Sequence, residues 1–395
     1  MTRVSGPVTA LAAALFVFGI GQELWFRYLP AYLRALGASA FAVGAFGSLK
    51  DLLDAAYAYP GGALSDRLGA RRALLIFGAL ATAGFAVYFV WPSAAAVFAG
   101  LLLVMTWQSL ALPATFALIG EELPGGRRVA GFTAQAIVKR VPVVLAPPLG
   151  GLLLERLGTV HGMRAGFAVS IVLSLGMLVV LRRSFRSADA RRPRRAPDAG
   201  PGKARLPRSL RQLLIADCLV RLCEGLPAVF LVIWAIEMIE VSPSQFGLLT
   251  SILMAAAILS YLPGAAFAER TGKKPFILLT YLFFSLFPLA VVFSRSFGHL
   301  AGAYVLGGLR EIGEPARKAL IVDLADPRAV GKTVGLYYAI RGFAVAGAAA
   351  AGGLLWTIEP SWTFFAAAAV GLLGTAWAAV FLSADRAVPV RKAAL

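Results

Sequence analysis

Cysteine and histidine are almost absent from this sequence, with two of each among 395 residues. Cys218 and Cys223 lie in one predicted helix and point in different directions, so they form neither a disulfide framework nor a metal site. His161 and His299 fall in opposite halves of the chain, at predicted outer loops. Because no nucleophile–base pair and no His/Glu ligand motif is present, the sequence predicts no enzyme, no metal and no cofactor.

Charge is also scarce. Only 15% of the residues are charged, whereas 59% are hydrophobic and the mean hydropathy is +0.77. This apolar content exceeds what a soluble domain can bury, so the chain is expected to lie in a bilayer. The Gly-x-x-x-x-Gly-Lys-Ser/Thr loop that binds nucleotide phosphates is missing, which argues against direct coupling to ATP.

The net charge of +18 comes from arginines and lysines that cluster in every second loop. Nucleic-acid binding does not account for them, since no base-reading or aromatic pattern accompanies the arginines. Basic residues in alternate loops follow the positive-inside rule instead. We therefore expect a multi-pass protein of the bacterial inner membrane with both termini in the cytoplasm.

Apolar runs separated by polar turns predict twelve helices, each long enough to span a membrane. Their predicted ranges are 8–35, 41–64, 73–91, 95–119, 131–156, 164–182, 210–239, 245–268, 275–294, 298–323, 331–357 and 361–383. Residues 184–209, rich in proline and arginine, read as a cytoplasmic linker. The predicted domains are thus a six-helix bundle over 1–183, the linker, and a second six-helix bundle with a short tail over 210–395.

One signature occurs twice, about half the chain apart. At an offset of 203 residues, Pro60, Asp66 and Arg67 align with Pro263, Glu269 and Arg270, and Gly69 aligns with Gly272. Pro113 and Pro315, and the glycine pairs 150–151 and 352–353, also match in order. An internal repeat is the best explanation.

This signature resembles the loop motif of the major facilitator superfamily, most closely in its first copy. The resemblance implies an all-α membrane protein with twelve transmembrane helices in two pseudo-symmetric six-helix bundles. It further implies alternating access, with the third, sixth, ninth and twelfth helices against lipid. The motif and its acidic partners are expected to gate the cytoplasmic side; these residues are Gly62, Asp66, Arg67, Gly69, Arg71, Arg72, Glu121, Gly264, Glu269, Arg270, Gly272, Lys273, Lys274 and Asp323.

Charged residues inside the predicted helices recur at helical spacing. Charges in a membrane are costly, so they are functional candidates by default. An acid and a base four residues apart share one face and partly neutralise each other. A polar central cavity is expected from the set, although any one pair could instead be a structural fastening between helices. The candidates are Glu23, Arg27, Lys50, Asp51, Asp54, Lys139, Arg140, Asp217, Arg221, Glu224, Arg310, Glu311, Glu314 and Arg341, with Arg317 close by.

A cavity lined by both signs suits a small polar or charged solute, in which Arg221, Arg310 or Arg341 holds a carboxylate or phosphate. Asp51 and Asp54 are the expected proton site, because carboxylates one turn apart favour protonation of one of them. The expected partners are therefore the solute, protons and lipid, and the protein is expected to be a monomer.

The expected function is secondary active transport, with proton-coupled export by antiport as the leading mode. Residues 146–151, with the sequence Ala-Pro-Pro-Leu-Gly-Gly, resemble the end of the fifth helix in exporters of the superfamily. The arginine that many of these exporters carry in the fourth helix is missing, and Arg310 holds the equivalent position on the tenth. The alternatives are a proton symporter or facilitator that imports an organic anion and, less favoured, a membrane sensor that transports nothing.

Overall fold

A computed structural model describes residues 6–110, 128–186, 206–325 and 330–382, and every regular element within these ranges is helical. Within the helices, the side chains of 6–11, 58–59, 61–63, 65–66, 70, 110, 128–139, 185–186, 261–271 and 330–331 lie outside the described set. Fifteen helices, α1 to α15, are numbered here in chain order: Gly6–Glu23, Leu29–Ala35, Ala40–Leu68, Ala70–Val90, Ala94–Met105, Arg128–Leu157, Thr159–Arg186, Arg208–Gly225, Pro243–Thr271, Lys273–Val292, Phe297–Leu309, Glu314–Asp323, Val330–Val345, Ala348–Ile358 and Pro360–Phe381.

The described helices follow the predicted segments in order, and several segments are broken within their length. The first segment comprises α1 and α2, the tenth comprises α11 and α12, and the eleventh comprises α13 and α14. The breaks repeat as the sequence does: α1 ends at Glu23 and α8 ends at Gly225, while α3 starts at Ala40 and α9 at Pro243. The internal repeat is therefore visible in the positions of helix ends as well as in the motif.

Six described helical stretches are long and apolar enough to cross a membrane by length and composition. They include the third, sixth, ninth and twelfth predicted helices, which lack charge in their apolar cores. Several of the other segments are interrupted or carry charge, which lowers their mean hydropathy. The six stretches are Arg71–Val90, Thr159–Ser184, Pro243–Ser260, Lys273–Val292, Lys332–Ile358 and Pro360–Phe381.

Packing divides the chain into two compact units. Unit 1 comprises Met1–Asp198, Val229–Ser251 and Ala349–Thr357, and unit 2 comprises Ala199–Ala228, Ile252–Ala348 and Ile358–Leu395. In unit 1, aromatic side chains form much of the core: Trp25 packs edge-on against Tyr88 and Phe167, and its indole donates a hydrogen bond to the Ser170 hydroxyl at 2.7 Å. Trp25 is fully buried, so it packs the core and lines no open cavity here.

Glycines allow very close contacts between helices of unit 1. A Cβ atom on Gly44 of α3 would lie 2.4 Å from the carbonyl oxygen of Ala349 on α14. On α6, a Cβ on Gly150 would lie 1.7 Å from the carbonyl oxygen of Leu24, and one on Gly151 would lie 2.3 Å from that of Pro243. Small residues permit such backbone contact in membrane proteins, where lipid is as apolar as the helices and packing drives association.

The same segment of α6 is tied to the start of α9 by hydrogen bonds. The N–H and hydroxyl of Ser244 donate to Glu155 Oε1 at 2.9 and 2.6 Å, and the Ser251 hydroxyl donates to the carbonyl of Val144 at 2.5 Å. A carboxylate at the start of a helix satisfies N–H groups that have no partner within the helix. The glycine pair at 150–151 thus has a clear packing role in this structure.

Single glycines make the turns of the repeated motif. Gly69 joins α3 to α4 with a φ of 78°, and Gly272 joins α9 to α10 with a φ of 95°. Residues other than glycine rarely adopt these left-handed conformations. Gly62 and Gly264, in contrast, continue helices α3 and α9, so the turn itself lies at the second glycine of each copy.

Replacing Gly150 by alanine should lower the thermal stability of the purified protein. The added methyl group would overlap the Leu24 carbonyl, and overpacking of this kind costs about 1–3 kcal/mol. The unfolding midpoint, followed by tryptophan fluorescence in detergent, measures the effect. Gly176→Ala is the matched control, since a Cβ there meets no atom within 4 Å. Equal midpoints for the two variants would contradict the close contact.

Candidate solute site in unit 2

The candidate site is built from segments of α8, α10, α13 and the break between α11 and α12. At this break the N–H of Gly313 donates to the Thr280 hydroxyl of α10 at 2.8 Å. A Cβ on Gly313 would lie 2.2 Å from the carbonyl oxygen of Phe276, so only glycine fits. The break places Arg310 before α12 and Glu314 and Arg317 on its first turns, all in contact with charges of α8.

The deepest part of the site is the pair between Arg317 and Asp217. The two side chains are 2% and 1% exposed, and Arg317 Nη1 lies 2.5 Å from Asp217 Oδ2. Arg317 also binds Glu314 through two hydrogen bonds, from Nε at 2.9 Å and from Nη2 at 2.7 Å. A guanidinium that is buried this deeply needs such paired and bidentate partners to offset the loss of water.

Two tyrosines and a second arginine complete the partners of Asp217. Tyr337 and Tyr281 donate hydrogen bonds to its carboxylate at 3.0 and 3.3 Å, and Arg341 Nη1 lies 3.2 Å from Oδ2. Both tyrosines are almost completely buried. Side chains from three other helices, α10, α12 and α13, thus hold the Asp217 carboxylate of α8. This arrangement indicates that Asp217 is a structural anchor.

The other end of the site is more open. Glu224 is 30% exposed and lies between two arginines, with Arg221 Nη1 at 2.7 Å and Arg310 Nη2 at 3.2 Å. Arg221 also reaches Glu314 at 3.4 Å. The guanidiniums of Arg221 and Arg310 lie over the ring of Phe284, at 5.0 and 4.9 Å from its centroid. Stacking of this type keeps the guanidinium planes in place.

These charges form one connected set, which we call the ion network. It holds four guanidiniums and three carboxylates in direct contact, so positive charge is in excess within it. Its members are Asp217, Arg221, Glu224, Arg310, Glu314, Arg317 and Arg341. Glu311, next to Arg310, is half-buried and forms no ion pair with the residues that the structure describes.

The spacing of charged residues along a helix predicts correctly which of them face the site, but it does not predict which of them form ion pairs. The pairs Asp217 with Arg221 and Arg310 with Glu314 are each four residues apart, yet none of these is an ion pair in the structure. Arg221 and Arg310 instead share Glu224, while Asp217 and Glu314 share Arg317. Most of the interactions cross between helices, because adjacent helices bring the charged ends closer than the helical repeat does.

The charges of the second predicted helix are in unit 1 and pair differently from the predicted spacing. Lys50 forms an ion pair with the adjacent Asp51 at 2.7 Å. Asp54 instead accepts a hydrogen bond from the Ser109 hydroxyl at 2.5 Å. Ser109 lies in a π-helical stretch over 106–110 that continues α5. Each carboxylate thus has its own partner in the structure, and the proton site at Asp51 and Asp54 stays a prediction.

The remaining cavity candidates are more scattered. Arg27 binds Glu23 at 3.2 Å after the end of α1, as the spacing predicts, and its side chain is 40% exposed. Arg140 is half-buried in α6. The side chain of Lys139 lies outside the described residues. Neither Glu23 nor Arg27 belongs to the ion network.

Among the gating candidates, the second copy of the motif is the better described. Lys273 at the start of α10 forms an ion pair with Asp323 at the end of α12, and Lys274 donates to the carbonyls of Ala379 and Leu382 at the end of α15. In the first copy, Arg67 and Arg72 are exposed. Glu121 lies outside the described residues, as do the side chains of Asp66, Glu269 and Arg270.

Aromatic residues that were not predicted as site residues contact the ion network. Tyr281, Phe284 and Phe287 belong to the ninth segment, which was expected to face lipid because it lacks charge. One face of α10 packs against the ion network, whereas Leu282 on the same helix and Phe293 just after its end are exposed. Tyr337 lies one helical turn before Arg341, and this spacing could have predicted from the sequence that Tyr337 faces the site.

Two arginines of the ion network correspond to aromatic residues in the first half of the repeat. Subtracting the offset of 203 residues places Arg221 on Phe18 and Arg310 on Trp107. Phe18 and Trp107 contact each other with ring centroids 4.8 Å apart, and both are buried. Packed rings in the first half thus occupy the positions of two arginines of the ion network.

Unit 1 also contains a separate cavity of about 440 Å³. It is lined by Arg34, Glu237, Ser39 and Thr159 together with small apolar residues. Arg34 pairs with Glu237 at 3.7 Å and donates to the carbonyl of Ala38, and Ser39 caps the start of α3. The cavity offers one guanidinium, which is paired with Glu237, whereas the ion network brings four guanidiniums together, so the cavity is the weaker candidate for an anion site.

Comparison with known proteins supports the fold over the whole chain. The profile described as Major Facilitator Superfamily matches residues 11–223 and again 213–395. No curated protein matches by sequence. A crystal structure of the peptide transporter POT in complex with sulfate is similar with a TM-score of 0.77 and 17% identity, covering 96% of this chain and 94% of that one.

Two further structures show the same fold. A bacterial homologue of the iron transporter ferroportin, in an inward-facing state, has a TM-score of 0.78 at 14% identity and covers 95% of this chain and 98% of its own. The human organic anion transporter MFSD10 has a TM-score of 0.64 at 18% identity and covers 96% and 100%. At these identities the likeness concerns the fold.

These findings define a multi-pass, all-α membrane protein of the secondary transporter class, and they give no indication of an enzyme. The chain belongs to the major facilitator superfamily, with twelve transmembrane helices in two pseudo-symmetric six-helix bundles. The fold class and the family predicted from the repeated motif are confirmed.

Replacing Arg317 by methionine should destabilise the protein strongly. The change leaves Asp217 and Glu314 without their main cation, and breaking a buried ion pair in this way costs about 3–5 kcal/mol. The unfolding midpoint of the purified variant measures the loss. Lys318→Met on the same helix is the control, because the Lys318 side chain is 53% exposed and its pair with Glu314 is long at 3.5 Å. A similar midpoint for both variants would show that Arg317 is not an anchor.

Proposed function

We propose that this protein is a proton-coupled secondary transporter of a small organic anion or zwitterion, working by alternating access. The main support for an anionic or zwitterionic solute is the excess of guanidinium groups at the more open end of the ion network, where Arg221 and Arg310 share Glu224. Arg221 and Arg310 at this end are 19% and 16% exposed, and Arg341 beside Asp217 is 21% exposed, so a solute can reach all three while the chain still holds them in position. Guanidiniums recognise carboxylates and phosphates through paired hydrogen bonds.

The site favours symport of the anion with a proton. An anion that enters the ion network approaches carboxylates already present there, and uptake of a proton by one of them relieves the repulsion. Export by antiport is the second candidate, and the glycine pair at 150–151 is its support. The glycine pair is weak support for antiport, because the close packing of α6 against Leu24 and Pro243 already explains why glycine is needed at both positions.

The rest of the proposal concerns the setting. We place the protein in the bacterial inner membrane as a monomer with both termini in the cytoplasm, on the basis of the basic residues in alternate loops. The division into 1–183, a linker at 184–209 and 210–395 also stays a proposal. Gating by the repeated motif is supported by the contacts of Lys273 and Lys274.

A pH jump in proteoliposomes tests the mode of transport. The protein is reconstituted with a panel of radiolabelled carboxylates and amino acids, and the outside is made acidic. We expect accumulation inside for at least one anion, driven by the inward proton gradient. Release of preloaded solute under the same gradient would favour antiport, and binding without flux would favour the sensor.

The same assay tests the role of the arginines. Arg310→Gln should abolish flux, because it removes a guanidinium that holds the solute. Arg295→Gln is the matched control, since Arg295 is exposed and outside the ion network. Normal flux in Arg310→Gln would contradict the proposed solute class.

Asp66→Asn tests the gating role of the motif. The variant should slow flux while solute binding, measured in detergent, stays close to that of the unmodified protein, since the residue is proposed to act on the change of state. Glu240→Gln, at an exposed site, should alter neither. Unchanged flux in Asp66→Asn would remove Asp66 from the gate.

A further inference from the structure

Glu224 has an unusual position in the ion network. Each of its two carboxylate oxygens meets a different arginine: Oε2 lies 2.7 Å from Arg221 Nη1 and Oε1 lies 3.2 Å from Arg310 Nη2. The two arginines come from different segments, one on α8 and one at the end of α11. A planar anion with two oxygens thus bridges two guanidiniums from separate helices, as the acidic group of a solute would.

The two arginines have donors to spare. The Nε atoms of both Arg221 and Arg310 are buried and have no hydrogen-bond partner among the residues that the structure describes. A buried N–H without a partner costs free energy, and each guanidinium offers five N–H groups in a fixed plane. Because both planes lie over Phe284, their positions do not depend on Glu224 alone. The pair can accept an anion with more acceptor oxygens than Glu224 provides.

Glu224 is also the carboxylate of the network that can leave most easily. Its side chain is 30% exposed, compared with 10% for Glu314 and 1% for Asp217. Asp217 is held by Arg317, Arg341 and two tyrosines, and Glu314 accepts two hydrogen bonds from Arg317. Within the described part of the chain, the ion-pair partners of Glu224 are the two arginines that a solute would seek.

We propose that Glu224 occupies the place of the solute's acidic group and is displaced when the solute binds. A carboxylate, phosphate or sulfate group then takes over Arg221 and Arg310, and the released Glu224 carboxylate takes one proton from water and becomes a neutral acid. No electrons move, and the charge on the two arginines stays compensated. This inference rests on the proposed function, and it names the residue that couples anion and proton.

The surroundings of Glu224 support the uptake of a proton. Besides its two arginines, the charged groups around it are Asp217 on α8, Glu311, Glu314 and Arg317 near the α11–α12 break, and Arg341 on α13. Tyr281 faces the network from α10, while α15, which also packs on α8, contains no Asp, Glu, Lys or Arg. Once a solute anion holds both arginines, a displaced Glu224 in its ionised form would lie beside that anion, and protonation removes the repulsion.

Sulfate is a suitable probe, because it is an anion that does not itself take up protons near neutral pH. The full-length protein in detergent is titrated with sodium sulfate at constant ionic strength. Binding is read from the rise in the unfolding midpoint. Proton uptake is read from a pH indicator in weakly buffered solution. We expect the unmodified protein to take up about one proton for each sulfate bound, and its affinity to fall as the pH is raised.

Glu224→Gln should bind sulfate about tenfold more tightly at neutral pH and take up no proton, because the competing carboxylate is gone. Arg310→Gln should lose binding. Asp54→Asn should keep the proton uptake, in contrast to the proton site predicted from sequence. Glu240→Gln is the matched control for a Glu-to-Gln change at an exposed site. If Glu224→Gln yields little folded protein, Glu224→Asp is used, for which tighter binding with proton uptake retained is expected.

Three outcomes would overturn the inference. Sulfate that binds Glu224→Gln no more tightly than the unmodified protein would show that Glu224 does not compete. Proton uptake that persists in this variant would assign the proton elsewhere. An absence of sulfate binding in Glu224→Gln would show that the arginines do not form an anion site. By contrast, failure of flux in proteoliposomes with normal sulfate binding and proton uptake would count against transport while leaving the role of Glu224 intact.

Discussion

Arg317 and Asp217 show the constraint on which the rest of the candidate site depends. Both side chains are buried within helices that lie in an apolar surrounding, where an unpaired charge is very costly. The pair is stable because Glu314, Arg341 and two tyrosines satisfy the remaining charge and hydrogen bonds. This buried pair forms the fixed end of the ion network. The guanidiniums of Arg221 and Arg310 lie at its more open end, where a solute can reach them.

Close helix packing is the second constraint. Helices in lipid gain little from hydrophobic burial against each other, so their contacts depend on surfaces that fit. In unit 1 the fit is made by glycines, at positions such as Gly44 and Gly150 where any side chain would overlap a backbone carbonyl. In unit 2, Gly313 lets the chain break beside Phe276 and brings Arg310 and Glu314 toward α8. Glycine therefore sets the positions of the charges as well as the packing.

The two halves of the repeat share a fold but differ in chemistry. Helix ends recur at nearly constant offsets, since chain length and helix breaks determine them. Arg221 and Arg310, however, correspond to Phe18 and Trp107, which contact each other as packed rings. At these two positions, the duplicated scaffold thus has packed aromatic rings in one half and the arginines of the ion network in the other.

The amino-acid sequence alone determined the membrane class, the order of the helices, the repeat and its family, because hydropathy and motif spacing act along the chain. It also selected most of the ion network, since charges in apolar helices are rare enough to stand out. Only the tertiary structure decided which residues form ion pairs. Arg221 pairs with Glu224 and Glu314, and Lys50 pairs with Asp51. Asp217 pairs with Arg317, which lies 100 residues further along the chain on another helix. Tyr281 and Phe284 joined from a segment without charge. Ion pairs depend on distances of a few ångströms between side chains of different helices, and those distances follow from packing and from breaks such as Gly313, which spacing along the sequence does not specify.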